Sequence, residues 1–159
     1  MSARLNANNL PTPKEESWKY TNLPRALPTD LKVVTDTPSK VIHIPSGQIC
    51  EQVEDFLWTG QNGQHLQPTL EITLEDNAEL HIIERHDGEG SYWKNMETTI
   101  KLGANAKLFH YRLQEDSNEA VHTNMMSIEL GRDATYNIFS LNSGAKLSRH
   151  QAHAHLLGE

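Results

Sequence analysis

Apolar and polar residues alternate along the second half of the chain in a pattern that repeats. Three segments align without gaps and begin at residues 72, 100 and 128, so the pattern recurs every 28 residues. Each segment has a run of alternating residues, a polar turn and a second alternating run, which is the period of half-buried strands. A fixed period of this length predicts stacked structural units. Like residues occupy matching positions of the three copies: Ile72, Ile100 and Ile128; Leu74, Leu102 and Leu130; Ala78, Ala106 and Ala134; and Leu80, Leu108 and Tyr136.

The turn inside each copy has the same chemistry. Asn77, Asn105 and Asp133 share one position of the repeat, and Asn and Asp are the non-glycine residues that best tolerate left-handed backbone angles. Stacked coils would bury the apolar columns, because each coil covers the one before it. We therefore predict a mainly β fold, a right-handed parallel β-helix over residues 69–159 with the 28-residue repeat. An antiparallel sandwich is the alternative, since strands of similar spacing also suit it.

The pattern also predicts how the β-helix ends. A fourth copy begins at residue 156, and the sequence stops where its turn would come. An open coil exposes an unpaired strand edge. We therefore expect the sequence to be truncated or its last coil to be completed by another chain, with a homodimer as one form of that completion.

Residues 1–68 differ in character, because they hold all seven prolines of the chain. Proline interrupts regular helices, so this segment is predicted to be irregular and rich in turns. Two short strands are predicted at 32–34 and 40–44. A short amphipathic helix is predicted over 49–58, where Ile49, Val53 and Phe56 fall at helical spacing and Gly60 offers a stop.

Composition and charge narrow the possible functions. The chain of 159 residues carries 14 basic and 21 acidic residues, a net charge of −7, which disfavours nucleic-acid binding and anionic membranes. No apolar run approaches membrane-spanning length, and the polar N-terminus does not resemble a signal peptide. A cytoplasmic location is therefore expected. Cys50 is the only cysteine, so this chain alone forms neither a disulfide nor a cage of thiolates for a metal or cluster.

The densest group of titratable residues is His150, His153 and His155. Residues two apart share a face of a strand, so His153 and His155 could bind one metal ion, with Glu159 adding an oxygen ligand. That spacing resembles a metal motif of cupins, and a cupin-like metal-dependent enzyme is the alternative function. The competing interpretation, which we favour, places these side chains on the solvated outer face of a coil.

Other titratable residues have simple structural interpretations. His110 falls in an apolar column between Ile82 and Ile138, which predicts a buried histidine with a satisfied hydrogen bond. His86, Asp87 and Glu89 are predicted to lie in a solvated, glycine-containing loop. Cys50 is predicted to be a small buried apolar residue.

Sequence motifs for catalysis are lacking. There is no phosphate-binding glycine loop and no Gly-x-Ser-x-Gly nucleophile elbow. We therefore predict no catalytic, cofactor-binding or metal-binding residues in this chain, and no enzymatic activity. A β-helical carbohydrate-binding module is a third possibility, but its candidate aromatic residues, Tyr92, Trp93 and Tyr111, are few and scattered.

Residues 10–23 read LPTPKEESWKYTNL. This segment resembles a signature near the start of the SufB/SufD proteins of the SUF iron–sulfur cluster assembly system. The β-helix repeats, Ser-Arg-His at 148–150 and Leu-Gly-Glu at 157–159 strengthen the resemblance, particularly to SufD. The resemblance implies a scaffold subunit that pairs with a SufB-like paralogue and associates with a SufC-like ATPase, in a SufBCD-like complex.

The resemblance carries few residue assignments. Trp18, Lys19, Tyr20 and Thr21 match the family signature, and burial of the two aromatic rings is the expected role. The iron–sulfur cluster, and reduced flavin as a further cofactor, are implied for the complex rather than for this chain alone.

Overall fold

The computed structural model describes residues 4–158. It begins with a 3-10 helix, Glu16–Trp18, and a short helix α1, Leu23–Ala26. Strands make up 55% of the described residues, and no helix among them is long and apolar enough to cross a membrane. The strands are β1 Lys32–Val33, β2 Ser39–Ile44, β3 Glu54–Gly60, β4 Gln64–Leu66, β5 Thr69–Leu74, β6 Glu79–Gly88, β7 Trp93–Leu102, β8 Lys107–Asp116, β9 Val121–Leu130, β10 Thr135–Gly144 and β11 Leu147–Leu156.

The strands form two parallel sheets that the chain visits in turn. Sheet A contains β1, β2, β4, β5, β7, β9 and β11, and sheet B contains β3, β6, β8 and β10. Glu79 pairs with Lys107 in sheet B and Trp93 with Val121 in sheet A, each 28 residues away. All pairings between the described strands are parallel, so the protein is a β-solenoid of about four turns. The predicted parallel β-helix is confirmed and the antiparallel sandwich is excluded.

The predicted left-handed turn is present in all three copies. Asn77, Asn105 and Asp133 have φ angles of 61°, 57° and 56°. Asn105 Nδ2 donates to Asn77 Oδ1 over 3.3 Å, which links neighbouring turns. The predicted apolar columns lie between the two sheets, where Ile72, Ile100, Leu80 and Leu108 are almost fully buried.

The predicted helix over 49–58 is wrong. Residues 54–60 form strand β3, which pairs with β6, and Ile49 makes an isolated bridge to Glu79. Phe56 and Trp58 satisfy the two-residue period of a strand, and short apolar runs fit both periods. Backbone pairing with β6 makes this run a strand rather than a helix. The predicted strands at 32–34 and 40–44 correspond to β1 and β2, and β2 pairs with β5, so the sheets extend before residue 69.

The N-terminal segment, residues 4–27, packs on the outer face of sheet A. Trp18 and Leu23 are buried there against Trp93 and Val121, with Leu147 at the edge of the cluster. The strands at this end of sheet A are thereby covered on both faces, which explains why β7 and β9 are buried at successive residues where they begin.

Candidate functional site

The interior of the solenoid has an apolar half and a polar half. Along β6 the inward side chains change from Leu80 and Ile82 to Glu84 and His86, and β8 shows the same change. Strand alternation aims these polar side chains at one another from both sheets. We call this group the interior cluster; it comprises Glu84, His86, Lys94, His110, Arg112, Gln114, Asp116, His122 and His150.

Asp116 is the acceptor for one side of the cluster. Tyr92 donates its hydroxyl proton to Oδ1 over 2.6 Å, Lys94 Nζ lies 2.9 Å from the same oxygen, and His122 Nδ1 donates to Oδ2 over 2.7 Å. Burial alone would raise the pKa of Asp116, but the hydrogen bond from His122 and the charge of Lys94 hold that pKa below its usual range. Asp116 is therefore a carboxylate at neutral pH.

Arg112 binds two histidine rings at once. Its NH1 lies 2.8 Å from His150 Nε2 and its NH2 lies 2.9 Å from His122 Nε2. Guanidinium nitrogens only donate, so both rings accept at Nε2 and carry their proton on Nδ1. Burial and the Arg112 charge lower the pKa of His150 to about 2, and burial holds the pKa of His122 well below its usual value. Both rings are neutral.

Glu84 is the second acceptor. It receives hydrogen bonds from Trp58 Nε1 at 3.0 Å and from His110 Nε2 at 2.8 Å, and His86 Nε2 lies 3.0 Å away. Burial opposes ionisation of Glu84, yet His86, His110 and Arg112 lower its pKa well below the usual value. His110 also bonds through Nδ1 to the Tyr136 hydroxyl at 3.0 Å, so the prediction of a buried, hydrogen-bonded His110 is confirmed.

The cluster balances its own charge. Two cations, Lys94 and Arg112, face two carboxylates, Glu84 and Asp116, while the rings of His86, His122 and His150 stay neutral. Buried ions persist in proteins when they are paired and hydrogen-bonded in this way. The hydrogen bonds of the cluster can keep protons at fixed atoms, such as Nδ1 of His122. It can also offer an unpaired donor, because Gln114 Nε2 has no hydrogen-bond partner.

Of the dense histidine group, the structure keeps together only the two histidines of the cupin-like motif, His153 and His155. His153 and His155 lie on the outer face of β11, opposite Ser127 and Glu129 of β9, whereas His150 faces the interior. Glu159 lies outside the described residues. Within residues 4–158, no group of three or more His, Cys, Asp or Glu side chains is arranged to hold a metal ion.

The structure confirms some of the remaining predictions about single residues and contradicts others. The predicted loop at His86 is wrong, because β6 continues through Gly88 and turns His86 inward. Cys50 packs, partly buried, against the apolar core. Of the signature aromatics, Trp18 is buried but Tyr20 is 92% exposed, so the prediction that both rings are buried is wrong for Tyr20. Tyr92 and Trp93 are fully buried and offer no outer platform for a sugar.

Most members of the interior cluster were not identified from the sequence. A signal was present: Glu84 and Arg112 occupy one column of the repeat, 28 residues apart, and Lys94 and His122 occupy another. Charged residues that recur at inward-facing positions indicate a polar interior. The sequence did not reveal which of them would pair.

Comparison with known proteins identifies one family. The model of the family described as SUF system FeS cluster assembly, SufBD core domain, matches residues 56–159, which include strands β6–β11. An iron–sulfur cluster assembly SufBD family protein from Synechocystis is 34% identical over 95 residues, covering 54% of this chain and 21% of its own. Protein ABCI7, chloroplastic, from Arabidopsis thaliana is 27% identical over 129 residues, covering 74% of this chain and 27% of its own.

The chain therefore spans about a fifth to a quarter of the length of these curated relatives. No solved structure matches the chain.

Proposed function

The chain belongs to the SufBD core-domain family of the SUF iron–sulfur cluster assembly system, and on that premise we propose that it is a non-catalytic scaffold subunit. In this proposal it pairs with a SufB-like paralogue, and the pair associates with a SufC-like ATPase. The iron–sulfur cluster, with reduced flavin, belongs to the assembled complex, and assembly takes place in the cytoplasm. The proposal rests on one observation: the residues that match the family, 56–159, also form most of the solenoid.

The distribution of side chains over the solenoid supports a binding role. The charged groups of the interior cluster are turned inward and paired with one another, so binding partners meet the outer faces of the sheets. On the outer face of sheet B, Leu57, Tyr111, Phe139 and Leu141 are each between 43% and 58% exposed. Tyr111 pairs with Phe139 and lies beside the Leu113–Leu141 pair, so Tyr111, Phe139 and Leu141 form one patch. Leu57 is separated from this patch by Arg85. Contiguous exposed apolar surface is typical of protein interaction sites.

Co-purification from cells that express the whole SUF operon tests the proposal. The tagged protein, in the longest form that its reading frame encodes, should retain SufB-like and SufC-like subunits. Phe139→Glu should reduce that retention, because it places a charge in the apolar patch. Val41→Glu is the matched control, since Val41 is exposed on sheet A, and it should retain both subunits. Failure of the unmodified protein to retain either subunit would overturn the scaffold role.

A further inference from the structure

The N-terminal segment crosses several coils of the solenoid. Arg4 donates to the carbonyl of Gln67, between β4 and β5, over 2.9 Å. Asn95 of β7 donates to the carbonyl of Leu5 over 2.8 Å. Further along the segment, Trp18 packs against β7 and β9. One continuous segment thus joins strands that belong to successive coils.

Three residues of this segment, Ser17, Trp18 and Thr21, contact Arg149 on β11. The guanidinium carbon of Arg149 lies 4.0 Å from the centre of the Trp18 ring, which is a close cation–π contact. NH1 donates to Thr21 Oγ1 over 3.1 Å and NH2 donates to the carbonyl of Ser17 over 2.6 Å. Trp18 and Thr21 of the family signature therefore serve an internal contact, which we call the Arg149 clamp.

The residues on either side of Arg149 point to the opposite face of the strand. Ser148 donates to Gln114 Oε1 over 3.2 Å, and His150 accepts from Arg112 over 2.8 Å. Successive side chains of a strand are rigidly related through the backbone. Whatever holds Arg149 on the outside therefore also holds His150 in the interior cluster.

The polar atoms beneath β11 are incompletely paired. Gln114 Nε2 and His150 Nδ1 have no hydrogen-bond partner. Buried polar atoms without partners are costly and would gain from contact with water. Closure of β11 over these atoms therefore needs a favourable contact elsewhere, and the Arg149 clamp supplies one.

We propose that residues 4–27 form a strap whose clamp on Arg149 holds β11 closed over the interior cluster, so that release of the strap opens this end of the interior to water. The strap acts at a distance. Trp18 packs on the outer face of sheet A, and it is linked to the cluster through Arg149 and the backbone of β11. It is also linked through Trp93 and Val121, which precede Lys94 and His122 on β7 and β9. This inference does not depend on the scaffold function.

Two measurements on the 159-residue chain test the strap. Arg149→Gln and Trp18→Ala should each speed hydrogen exchange of the β11 backbone amides about tenfold or more, because each variant removes charge-assisted or cation–π contacts. Exchange within β6 and β8 should not change. In parallel, ¹⁵N NMR of the His150 ring should show loss of the Nδ1-protonated tautomer that acceptance from Arg112 requires.

Lys19→Gln is the matched control. It removes a cation from the same signature, but Lys19 is half-exposed, and its ammonium group lies near Glu16 and the Tyr20 ring rather than at Arg149. Exchange and tautomer should therefore match those of the unmodified chain. The strap is refuted if both test variants keep the β11 exchange rates and the His150 tautomer. It is equally refuted if exchange rises to the same extent in every strand, because the segment would then support folding in general.

Discussion

Arg112 shows how a charged side chain is accommodated inside the solenoid. It is 1% exposed, and its planar fork binds His122 and His150 while its Nε lies 3.5 Å from Glu84. An arginine cannot give up its proton in a protein, so the residues around it adjust instead. Both rings stay neutral and accept, and Glu84 stays ionised. Burial is the main reason that the pKa values of both rings are low, and the Arg112 charge adds to it; at Glu84 that charge acts together with His86 and His110.

Replacement of Arg112 should therefore strongly destabilise the folded protein. Arg112→Met keeps much of the volume but leaves Glu84 without its cation and two ring nitrogens without a donor, and we expect the free energy of unfolding to fall by about 3–5 kcal/mol. Denaturant unfolding followed by circular dichroism measures the change. Arg132→Met is the control: Arg132 is largely exposed and forms a surface ion pair with its neighbour Asp133, so a change of at most about 0.5 kcal/mol is expected. Equal losses in the two variants would contradict the role assigned to Arg112.

At the scale of the element, the repeat depends on its turns. Strands β6, β8 and β10 begin two residues after Asn77, Asn105 and Asp133, respectively, and each of those residues is in the left-handed region. A shift of one residue would turn every inward side chain of the following strand outward. The turns therefore keep the apolar columns and the interior cluster in register.

Asn105 provides a direct test of the turn. Asn105→Ala should lower the free energy of unfolding by about 1–2 kcal/mol, because alanine is strained at a φ of 57°. Asn105→Gly removes the same side chain, including its bond to Asn77, but tolerates that angle. The difference in unfolding free energy between the two variants isolates the backbone effect. If alanine proves as stable as glycine, the turn does not require the left-handed conformation.

At the scale of the whole molecule, the charge balance of the interior cluster couples stability to pH. Burial, together with Arg112, lowers the pKa of His86 to about 3, and His122 and His150 are lowered as well. In the unfolded chain these rings bind protons as the pH falls below about 6.5. The unfolded state then holds more protons than the folded one, so stability is full above that pH and falls below it. Below about pH 4 the depressed pKa values of Glu84 and Asp116 add to the loss.

Denaturant unfolding at pH 7.5, 6.0 and 5.0 should show this loss, with about 1.4 kcal/mol per pH unit for each extra proton bound by the unfolded chain. His86→Gln should reduce the slope by about one proton. His155→Gln is the control, since His155 is exposed on the outer face of β11 and should leave the slope unchanged. A stability that does not vary between pH 7.5 and 5.0 would contradict a neutral interior.

The repeating part of the protein can be predicted from the sequence alone. The 28-residue period, the left-handed turns at Asn77, Asn105 and Asp133, the buried columns and the burial of His110 were all predicted correctly. These features follow from local rules: alternation, turn chemistry and the need of each coil for a neighbour. The family could be recognised for a similar reason, because its signature and repeats are continuous in the sequence.

The other features depend on contacts between residues that are far apart in the sequence. Residues 54–60 form a strand because β6 provides backbone partners, and short apolar runs do not reveal such partners. Arg112 and His150 are 38 residues apart, and Ser17 and Arg149 are 132 apart. Which polar side chains pair across such separations depends on register, burial and the path of the N-terminal segment over sheet A, and these exist only once the coils have stacked.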